Sequence, residues 1–429
     1  MTELPNDWKC STIGEVAEIV RGVTYSKGDT LSATDIDAVP LLRATNLEVD
    51  SIDFNDMVYV PKRVVKPQQV LQVNDVFMAA SSGSISVVGK SAQVVKTNGE
   101  TFGAFCSVIR PKNVHPKFLA YWVQSPEIRD HWSATAKGTN INNLKPSDIS
   151  GTYIPIPPMK DQQKIVELLE DHLSRLDAAL AEVKQAKVKA AQFRRSLFQA
   201  AFTGNLIGDG TRGGTDLPNG WEIKPLEALC DTGKQAIVDG PFGSNLKRSD
   251  YVESGIPVLK IQNIKENVIT LKKMDFVKPE KYKELVRHSF TDGDIVMTKL
   301  GDPLGVSAIV NGISNGLIVA DLVRIRASKV NTKFLCYQLN SPRIQKYINE
   351  LQKGTTRPRV NLAMIRNLPI YIPSIDQQHK IVEILEDHLS RLDASVAIAD
   401  AMEKQSSSLR RSLLQAAFSG QLTKEVASV

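Results

Sequence analysis

Three short motifs contain residue types that could do chemistry. Gly83 to Ser91 ends in Gly-Lys-Ser like a P-loop, but five residues instead of four separate its glycines, so its N–H groups would not cradle a phosphate. His172 and His388 lie beside carboxylates, but inside helical patterns near an apolar seam, which favours a structural role. Glu222 and Lys224 imitate part of a nuclease site, although Glu-x-Lys is common by chance. Because the Asp/Asn-Pro-Pro-aromatic motif of amino methyltransferases is also absent, we predict a non-catalytic chain.

The remaining candidates are polar and basic residues in loops flanked by glycine. Arg, Asn, Gln, Ser and Thr side chains can read base edges, and Lys suits phosphates. They are Arg43, Asn46, Ser81, Ser82, Ser84, Lys90, Lys137, Asn140, Asn142, Asn143 and Lys145 in the first half, and Lys260, Gln262, Asn263, Lys299, Lys353, Thr355, Arg357 and Arg359 in the second. Each alone is equally compatible with a solvated turn. Two sets at matching places favour DNA binding.

The chain is nearly two copies of one sequence, which is why the two sets match. KIVELLEDHLSRLDA begins at Lys164 and KIVEILEDHLSRLDA at Lys380, an offset of 216 residues, and 25 of the 43 positions from Lys164 to Leu206 are identical in the second copy. Upstream the copies share only short anchors, such as DVFM at Asp75 and DIVM at Asp294. One scaffold with two different surfaces is therefore predicted.

A long helix follows each variable region. Residues 161–202 contain no Pro or Gly, and apolar residues recur by alternating fours and threes, as in a heptad seam. The seam residues are Leu169, Leu173, Leu176, Leu180 and Leu197 in the first copy and Leu385, Leu389, Leu392, Val396 and Leu413 in the second. Gly204 and Gly420 are candidate helix C-terminal glycines. An amphipathic helix of this length needs a partner to bury its apolar seam. We therefore expect the two helices to pack on each other, and to run antiparallel.

The variable regions are rich in short β-type runs with a few short helices, so the fold class is α+β. We predict two similar α+β domains joined by two long antiparallel helices in a pseudo-twofold dumbbell. The expected order is a first domain at 1–160, a helix at 161–203, a glycine-rich linker at 204–220, a second domain at 221–376, a helix at 377–419 and a tail at 420–429.

Composition narrows the class of protein without identifying it. A chain of 429 residues with 42% hydrophobic and 23% charged residues has room for two or three globular domains, and no apolar run is long enough to cross a membrane. The amino end does not resemble a secretory signal, and four widely spaced cysteines, expected to be buried, fit a cytoplasmic protein. A net charge of +6 permits a polyanionic partner but does not require one.

The repeat, the proline-rich entry to each helix and the endings QAAFTGNL and QAAFSGQL together resemble the specificity (S) subunit of type I restriction-modification enzymes. The resemblance covers nearly the whole chain. It implies two target-recognition domains that each read one half of a split site in double-stranded DNA, with the helices setting the spacing and docking the partners.

The resemblance implies as partners two methyltransferase (M) subunits, which modify adenine at N6, and the restriction (R) subunits. S-adenosylmethionine, ATP and Mg are then expected on those partners, with no cofactor or metal on this chain. The alternative is a structural coiled-coil adaptor whose modules bind protein instead of DNA.

Overall fold

The computed structural model describes residues 5–422 apart from 6, 49, 139–140, 209–216, 219, 232, 234 and 353–357. The chain divides into a first unit, Met1–Val183 with Asp400–Val429, and a second unit, Lys184–Ala399. Each unit contains one α+β domain, the beginning of the long helix that follows it and the end of the other long helix. The predicted α+β class, with two similar domains and two long helices, is confirmed.

We call the globular part of the first unit domain 1 and that of the second unit domain 2. The elements up to the end of the first long helix are β1 (Lys9–Thr12), α1 (Ile13–Val16), β2 (Ala17–Arg21), β3 (Ala38–Leu42), β4 (Val58–Pro61), β5 (Val76–Ala79), β6 (Ser81–Ser82), β7 (Ser91–Gln93), β8 (Thr101–Phe102), β9 (Cys106–Pro111), α2 (Pro116–Gln124), α3 (Pro126–Thr135), β10 (Asn142–Asn143), α4 (Pro146–Ser150), β11 (Tyr153–Ile156) and α5 (Met159–Phe202).

The second copy follows the same plan with more strands. Its elements are β12 (Glu222–Pro225), β13 (Ile237–Asp239), β14 (Tyr251–Val252), β15 (Ile256–Leu259), β16 (Ile264–Lys265), β17 (Val268–Ile269), β18 (Asp275–Val277), α6 (Pro279–Glu284), β19 (Ser289–Thr291), β20 (Ile295–Thr298), β21 (Ser307–Ile309), β22 (Asn315–Ile318), β23 (Leu322–Ile325), α7 (Thr332–Leu339), α8 (Pro342–Leu351), α9 (Leu362–Arg366), β24 (Pro369–Ile372) and α10 (Ile375–Phe418).

The same two sheets organise both domains. Domain 1 has a four-stranded sheet in the order β2-β9-β5-β7 and a three-stranded sheet in the order β4-β3-β8, in which β3 and β8 run parallel. Domain 2 repeats the four-stranded sheet as β13-β23-β20-β21 and enlarges the other to β14-β18-β15-β22-β19, with β15 and β22 parallel. In each domain the first and last strands pair, β1 with β11 and β12 with β24. The chain therefore enters and leaves each domain at one place, next to its helix.

The shared anchors DVFM and DIVM form the central strands of the four-stranded sheets. In β5, Val76 and Met78 face one apolar cluster and Phe77 and Ala79 face another, as the two-residue period of a strand requires. β20 is likewise buried along its length. A strand covered on both faces has to be apolar throughout, which explains why these four-residue runs are alike in the two copies.

The Asp that precedes each anchor is buried and paired. Asp75 lies 2.8 Å from an Arg110 amino group and Asp294 lies 2.7 Å from an Arg326 amino group, and each Asp also accepts a backbone N–H bond. The hydrogen bond to its Asp raises the pKa of each Arg above its usual value. These pairs neutralise charges that the apolar sheet would otherwise bury alone.

Both long helices span 44 residues, about 66 Å at 1.5 Å per residue. They begin two residues before, and end one residue before, the predicted bounds. All ten predicted seam residues are buried or half-buried. In the first unit Asp177 of α5 pairs with Arg410 of α10, and in the second Asp393 pairs with Arg194. Since early residues of one helix meet late residues of the other, the helices run antiparallel within each unit, as predicted.

The end of each helix packs into a domain through aromatic residues that the seam pattern does not include. The Phe418 ring lies 5.1 Å from Phe118 and 4.9 Å from Trp122 of α2, and the Phe202 ring lies 5.5 Å from Phe334 of α7. After each end, Gly204 and Gly420 have φ of 77° and 75°, the left-handed conformation predicted for C-terminal glycines.

A buried glutamine joins the start of each helix to its domain. Gln162 accepts a hydrogen bond from the His115 backbone N–H and donates one to the Pro157 carbonyl, and Gln378 makes the equivalent bonds to Asn331 and Pro373. This one glutamine, repeated at an offset of 216 residues, thus satisfies backbone groups at each helix entry.

Three further expectations have mixed outcomes. Cys106, Cys230 and Cys336 are buried as predicted, but Cys10 is exposed, because it lies on a two-stranded sheet at the domain surface. Much of the predicted linker at 204–220 lies outside the described residues. Within the described part of the chain, no helix combines the length and apolar character needed to span a bilayer.

Candidate DNA interface

The fold brings together two of the loop segments predicted in domain 1. β6 and β10 pair antiparallel, with Asn142 opposite Ser82 and Asn143 opposite Ser81. The Asn142 amide donates to the Ser82 carbonyl at 3.3 Å and to the Gly83 carbonyl at 3.2 Å. Residues 81–83 and 142–143 therefore form one small ribbon, although about sixty residues separate them in sequence.

Domain 2 contains the same backbone pairing between distant loops, which we call the junction in both domains, but builds it from different residues. Leu300 bridges to Arg359, Gly301 N–H donates to the Pro358 carbonyl at 2.9 Å, and Val360 N–H donates to the Lys299 carbonyl at 3.0 Å. The junction borders a groove of about 520 Å³ lined by residues that include Lys260, Gln262, Lys265, Asp302 and Asp321. Lys299, Arg359 and the segment from Lys260 to Asn263 thus lie near one another in this domain.

The predicted residues differ in how far they can reach a ligand. Ser84, Lys137, Asn143, Lys145, Gln262 and Arg359 are exposed, whereas Arg43, Ser82, Lys90, Asn142, Lys260 and Lys299 are half-buried. Asn46, Ser81 and Asn263 are buried, and Asn140, Lys353, Thr355 and Arg357 lie outside the described residues.

Arg43 and Lys260 occupy equivalent positions, each preceding a short 3₁₀ turn. The Arg43 guanidinium lies 3.1 Å from the Asp56 carboxylate, with 37% of its side chain exposed. Lys260 pairs with Asp275 and lies 4.1 Å from the centre of the Tyr251 ring. Both cations are therefore held in place while part of the side chain stays accessible. The acidic and aromatic partners were not predicted, because nothing near them in sequence marks the contact.

Asn46 and Asn263 have a structural role, which corrects their assignment as base-reading residues. Asn46 is 2% exposed and Asn263 is 0% exposed. Each side-chain oxygen accepts a backbone N–H bond, from Arg43 or Lys260, and each amide donates to two backbone carbonyls. An amide whose groups are all used and buried cannot present them to a base.

Besides Lys260, two more of the predicted lysines bond to the protein itself. The Lys90 ammonium points to the Leu47 carbonyl at 3.4 Å, because Gly89 turns the chain there with φ of 77°. The Lys299 ammonium pairs with Asp239 at 2.7 Å, with 20% of its side chain exposed. These placements make Lys90 and Lys299 weaker candidates for phosphate contacts than the exposed Lys137 and Lys145.

The structure places the titratable residues considered for catalysis at the surface, in apolar packing or in both. Lys224 pairs with Glu222 on an exposed strand. His172 is exposed on α5, and the ring of His388 packs against Phe193 at 6.0 Å. Burial raises the pKa of Cys106, Cys230 and Cys336 to about 12, so these thiols are poor nucleophiles. Among the described residues, no three His, Cys, Asp or Glu side chains are arranged to hold a metal ion.

Comparison with known protein families gives the same result for both halves of the chain. The family model for the type I restriction modification DNA specificity domain matches residues 5–189 and again 218–399. The chain belongs to this family. Each match covers one domain and part of its helix, so the family unit coincides with the internal repeat.

Two curated relatives cover nearly the whole chain. It is 31% identical to the type I restriction enzyme StySPI specificity subunit of Salmonella potsdam and 29% identical to the EcoKI specificity subunit of Escherichia coli strain K12. Both alignments span 99% of this chain and 91% of the relative.

Solved structures share the fold at lower identity. A chain from a study of complex assembly and conformational transition of the type I restriction-modification system superposes with a TM-score of 0.71 at 19% identity, over 98% of this chain and 99% of that one. The HsdS subunit from Thermoanaerobacter tengcongensis gives a TM-score of 0.57 at 20% identity, over 98% of each chain.

Proposed function

We propose that this chain is the sequence-specific DNA-recognition subunit of a type I restriction-modification complex, with each domain reading one half of a bipartite site. The observation that carries the proposal is the repeated junction. In both domains the same backbone pairing brings distant polar loops together, while the side chains displayed there differ. Family membership supports a DNA target, and two different surfaces on one scaffold suit two different half-sites.

Base readout and backbone contacts fall to different residues in this proposal. Asn142 lies in the junction of domain 1, and Lys260 and Gln262 line the groove beside the junction of domain 2. Arg43 is the domain 1 equivalent of Lys260. All four carry donors or acceptors suited to base edges. The exposed Lys137, Lys145 and Arg359 supply charge for phosphates. Ser82 and Ser84, on the ribbon of domain 1, add short-range hydroxyls.

The catalytic steps belong to partners in this proposal. Two methyltransferase subunits would dock on the long helices and carry S-adenosylmethionine, and restriction subunits would supply ATP- and Mg-dependent cleavage. The chain itself would be a non-catalytic cytoplasmic adaptor between DNA and these enzymes.

Methylation by the reconstituted complex tests the proposal directly. The full chain is combined with methyltransferase subunits of a type I restriction-modification system, and modified adenines are sequenced on a library of random duplexes. We expect one bipartite motif with two defined halves and a fixed unspecified gap. Methylation without sequence preference, or a complex that binds no duplex, would refute the proposal and favour an adaptor whose modules bind protein.

A further inference from the structure

A hairpin links Arg43–Asn46 of domain 1 to the long helices. We call Arg43–Asn46, and the equivalent Lys260–Asn263 of domain 2, the reading segments, because each begins with a residue proposed to contact bases. This coupling hairpin comprises residues 47–56, of which Val49 lies outside the described part, and begins directly after Arg43–Asn46. Arg43 pairs with Asp56 at its far end, and the Asn46 amide donates to the Asp53 and Asp56 carbonyls, both at 2.9 Å. The two ends of the hairpin are thus fixed to the segment proposed to read bases.

The tip of the hairpin contacts α10. Asp50 has φ of 60° and pairs with Arg410, whose other amino group lies 3.2 Å from Asp177 of α5. The side chains of Asp50 and Arg410 are 31% and 28% exposed, so the pair is better shielded than most surface ion pairs. Burial raises the pKa of the Asp50 carboxyl and the charge of Arg410 opposes that rise. One arginine therefore joins the domain to both long helices.

Domain 2 contains an equivalent coupling hairpin, residues 264–275. Lys260 pairs with Asp275 at its far end, and the Asn263 amide donates to the Thr270 and Lys272 carbonyls at 3.0 and 3.3 Å. Its tip, Glu266 and Asn267, repeats the backbone of the first, because Asn267 has φ of 62°.

The helix pair beside the first hairpin recurs in the second unit. Arg194 pairs with Asp393 of α10, and these residues lie 216 positions from Arg410 and Asp177 respectively. Burial raises the pKa of the Glu266 carboxyl at the tip of the second hairpin, and the charge of Arg194 opposes that rise.

The hairpins differ in sequence and length, but the residues at their ends keep the same chemistry. Each has a cation paired with an acid at the base, a buried asparagine directly before the hairpin, and an acid at the tip, which in domain 1 pairs with a helix arginine. Apolar packing of the domain on its helices is non-directional, whereas an ion pair between fixed groups selects one orientation. An ionic link beside a variable loop therefore suits a positioning role.

We propose that the coupling hairpins are positioning elements that hold each reading segment in register with its long helices and so sharpen the gap accepted between the half-sites. This inference rests on the proposed function. Asp50, Glu266, Arg194 and Arg410 act through the reading segment and do not themselves touch DNA.

The test is methylation by the full complex on duplexes that carry the wild-type half-sites with the gap varied by one and two base pairs. Asp50→Asn removes the charge and keeps a residue that tolerates positive φ, as Asn267 does in domain 2. We expect the preference for the wild-type gap to fall by about fivefold, the size of a partly exposed ion pair, with the half-site sequences unchanged. Glu266→Gln should do the same through domain 2.

Asp130→Asn is the matched control. Asp130 lies 3.5 Å from Arg411, so it also joins domain 1 to α10, but outside the hairpin and with both side chains mostly exposed. It should leave the gap preference unchanged. If Asp130→Asn relaxed the gap preference equally, or if both Asp50→Asn and Glu266→Gln left it unchanged, the positioning role would be wrong. Either result would leave the proposed function standing.

Hydrogen exchange provides a second measurement that does not depend on methylation. Asp50→Asn should raise exchange of amides in residues 50–56 while β5 stays protected. Unchanged exchange there would also contradict the positioning role. A wild-type complex that recognises no bipartite site would overturn both this inference and the proposed function.

Discussion

The two junctions share their backbone pairing and differ in the charge beside them. In domain 1 the β6–β10 ribbon presents neutral serines and asparagines, with Asn142 bonded across to Ser82. In domain 2 the matching junction carries an ion pair, Lys299 with Asp239, whereas the Lys260–Asp275 pair has its equivalent in Arg43–Asp56 of domain 1. Since backbone hydrogen bonds build both junctions, the side chains are free to differ without loss of the fold. In the proposed function, the scaffold would set where DNA is read and the side chains which bases are read.

Exchange of a whole domain should have the largest effect. Replacing residues 221–373 with those of a relative should change one half of the methylated site completely and leave the other half as it was, because each junction is built within one unit. Sequencing of modified adenines measures this. A change in both halves would mean that the domains do not read independently.

Lengthening the helices should move the half-sites apart without changing either. Four residues inserted after Gln185 add one turn, about 6 Å, and nearly preserve the seam. At about 3.4 Å per base pair, the gap should grow by one or two base pairs. An active, folded variant that keeps the old gap would show that the helices do not measure the site.

The ion pairs beside the central strands allow the stability of the two domains to be compared. Asp75→Ala should destabilise domain 1 by about 3 to 5 kcal/mol, because it leaves Arg110 charged and unpaired. Asp294→Ala should cost domain 2 less, since Arg326 is 38% exposed and water can solvate it. Hydrogen exchange of the β5 and β20 amides reports each domain separately. Glu18→Gln, which removes the exposed pair with Lys112, is the control and should cost less than about 1 kcal/mol.

Single reading residues should have smaller and local effects. Arg43→Ala should weaken specific binding by about 1 to 3 kcal/mol and relax one base position in one half-site, and Lys260→Ala should do so in the other half. Binding to a panel of single-base variants measures both. Uniform weakening across the panel by Arg43→Ala would contradict its role in base reading.

The smallest expected effect is on the salt dependence of DNA binding, which should differ between an exposed lysine and an ion-paired one. Lys145→Ala should lower the slope of log affinity against log salt by about one, because an exposed lysine releases counterions when it meets a phosphate. Lys299→Ala should leave the slope nearly unchanged, since Asp239 already neutralises that lysine. Equal slopes for the two variants would remove this distinction.

Sequence periodicity predicted the helices well and the reading residues only in part. The seam residues follow from a repeat along one helix, so Leu169 and Leu385 could be identified without any partner. Phe198 and Phe418 could not, because they pack against α7 and α2 of a domain far away in sequence. Asn46 and Asn263 have the residue type expected of a base reader, but only the fold shows that backbone carbonyls already occupy their amides.

The sequence by itself determined that the chain carries two copies of one scaffold, where the long helices lie and which segments differ between the copies. These features depend on local periodicity and self-similarity, which are visible in one dimension. The pairing of β6 with β10, the partners of Arg43 and Lys260, and the pairing of Asp50 with Arg410 were decided only by the tertiary structure. Such contacts join residues up to 360 positions apart, as Asp50 and Arg410 are, and depend on chain folding that no local pattern encodes.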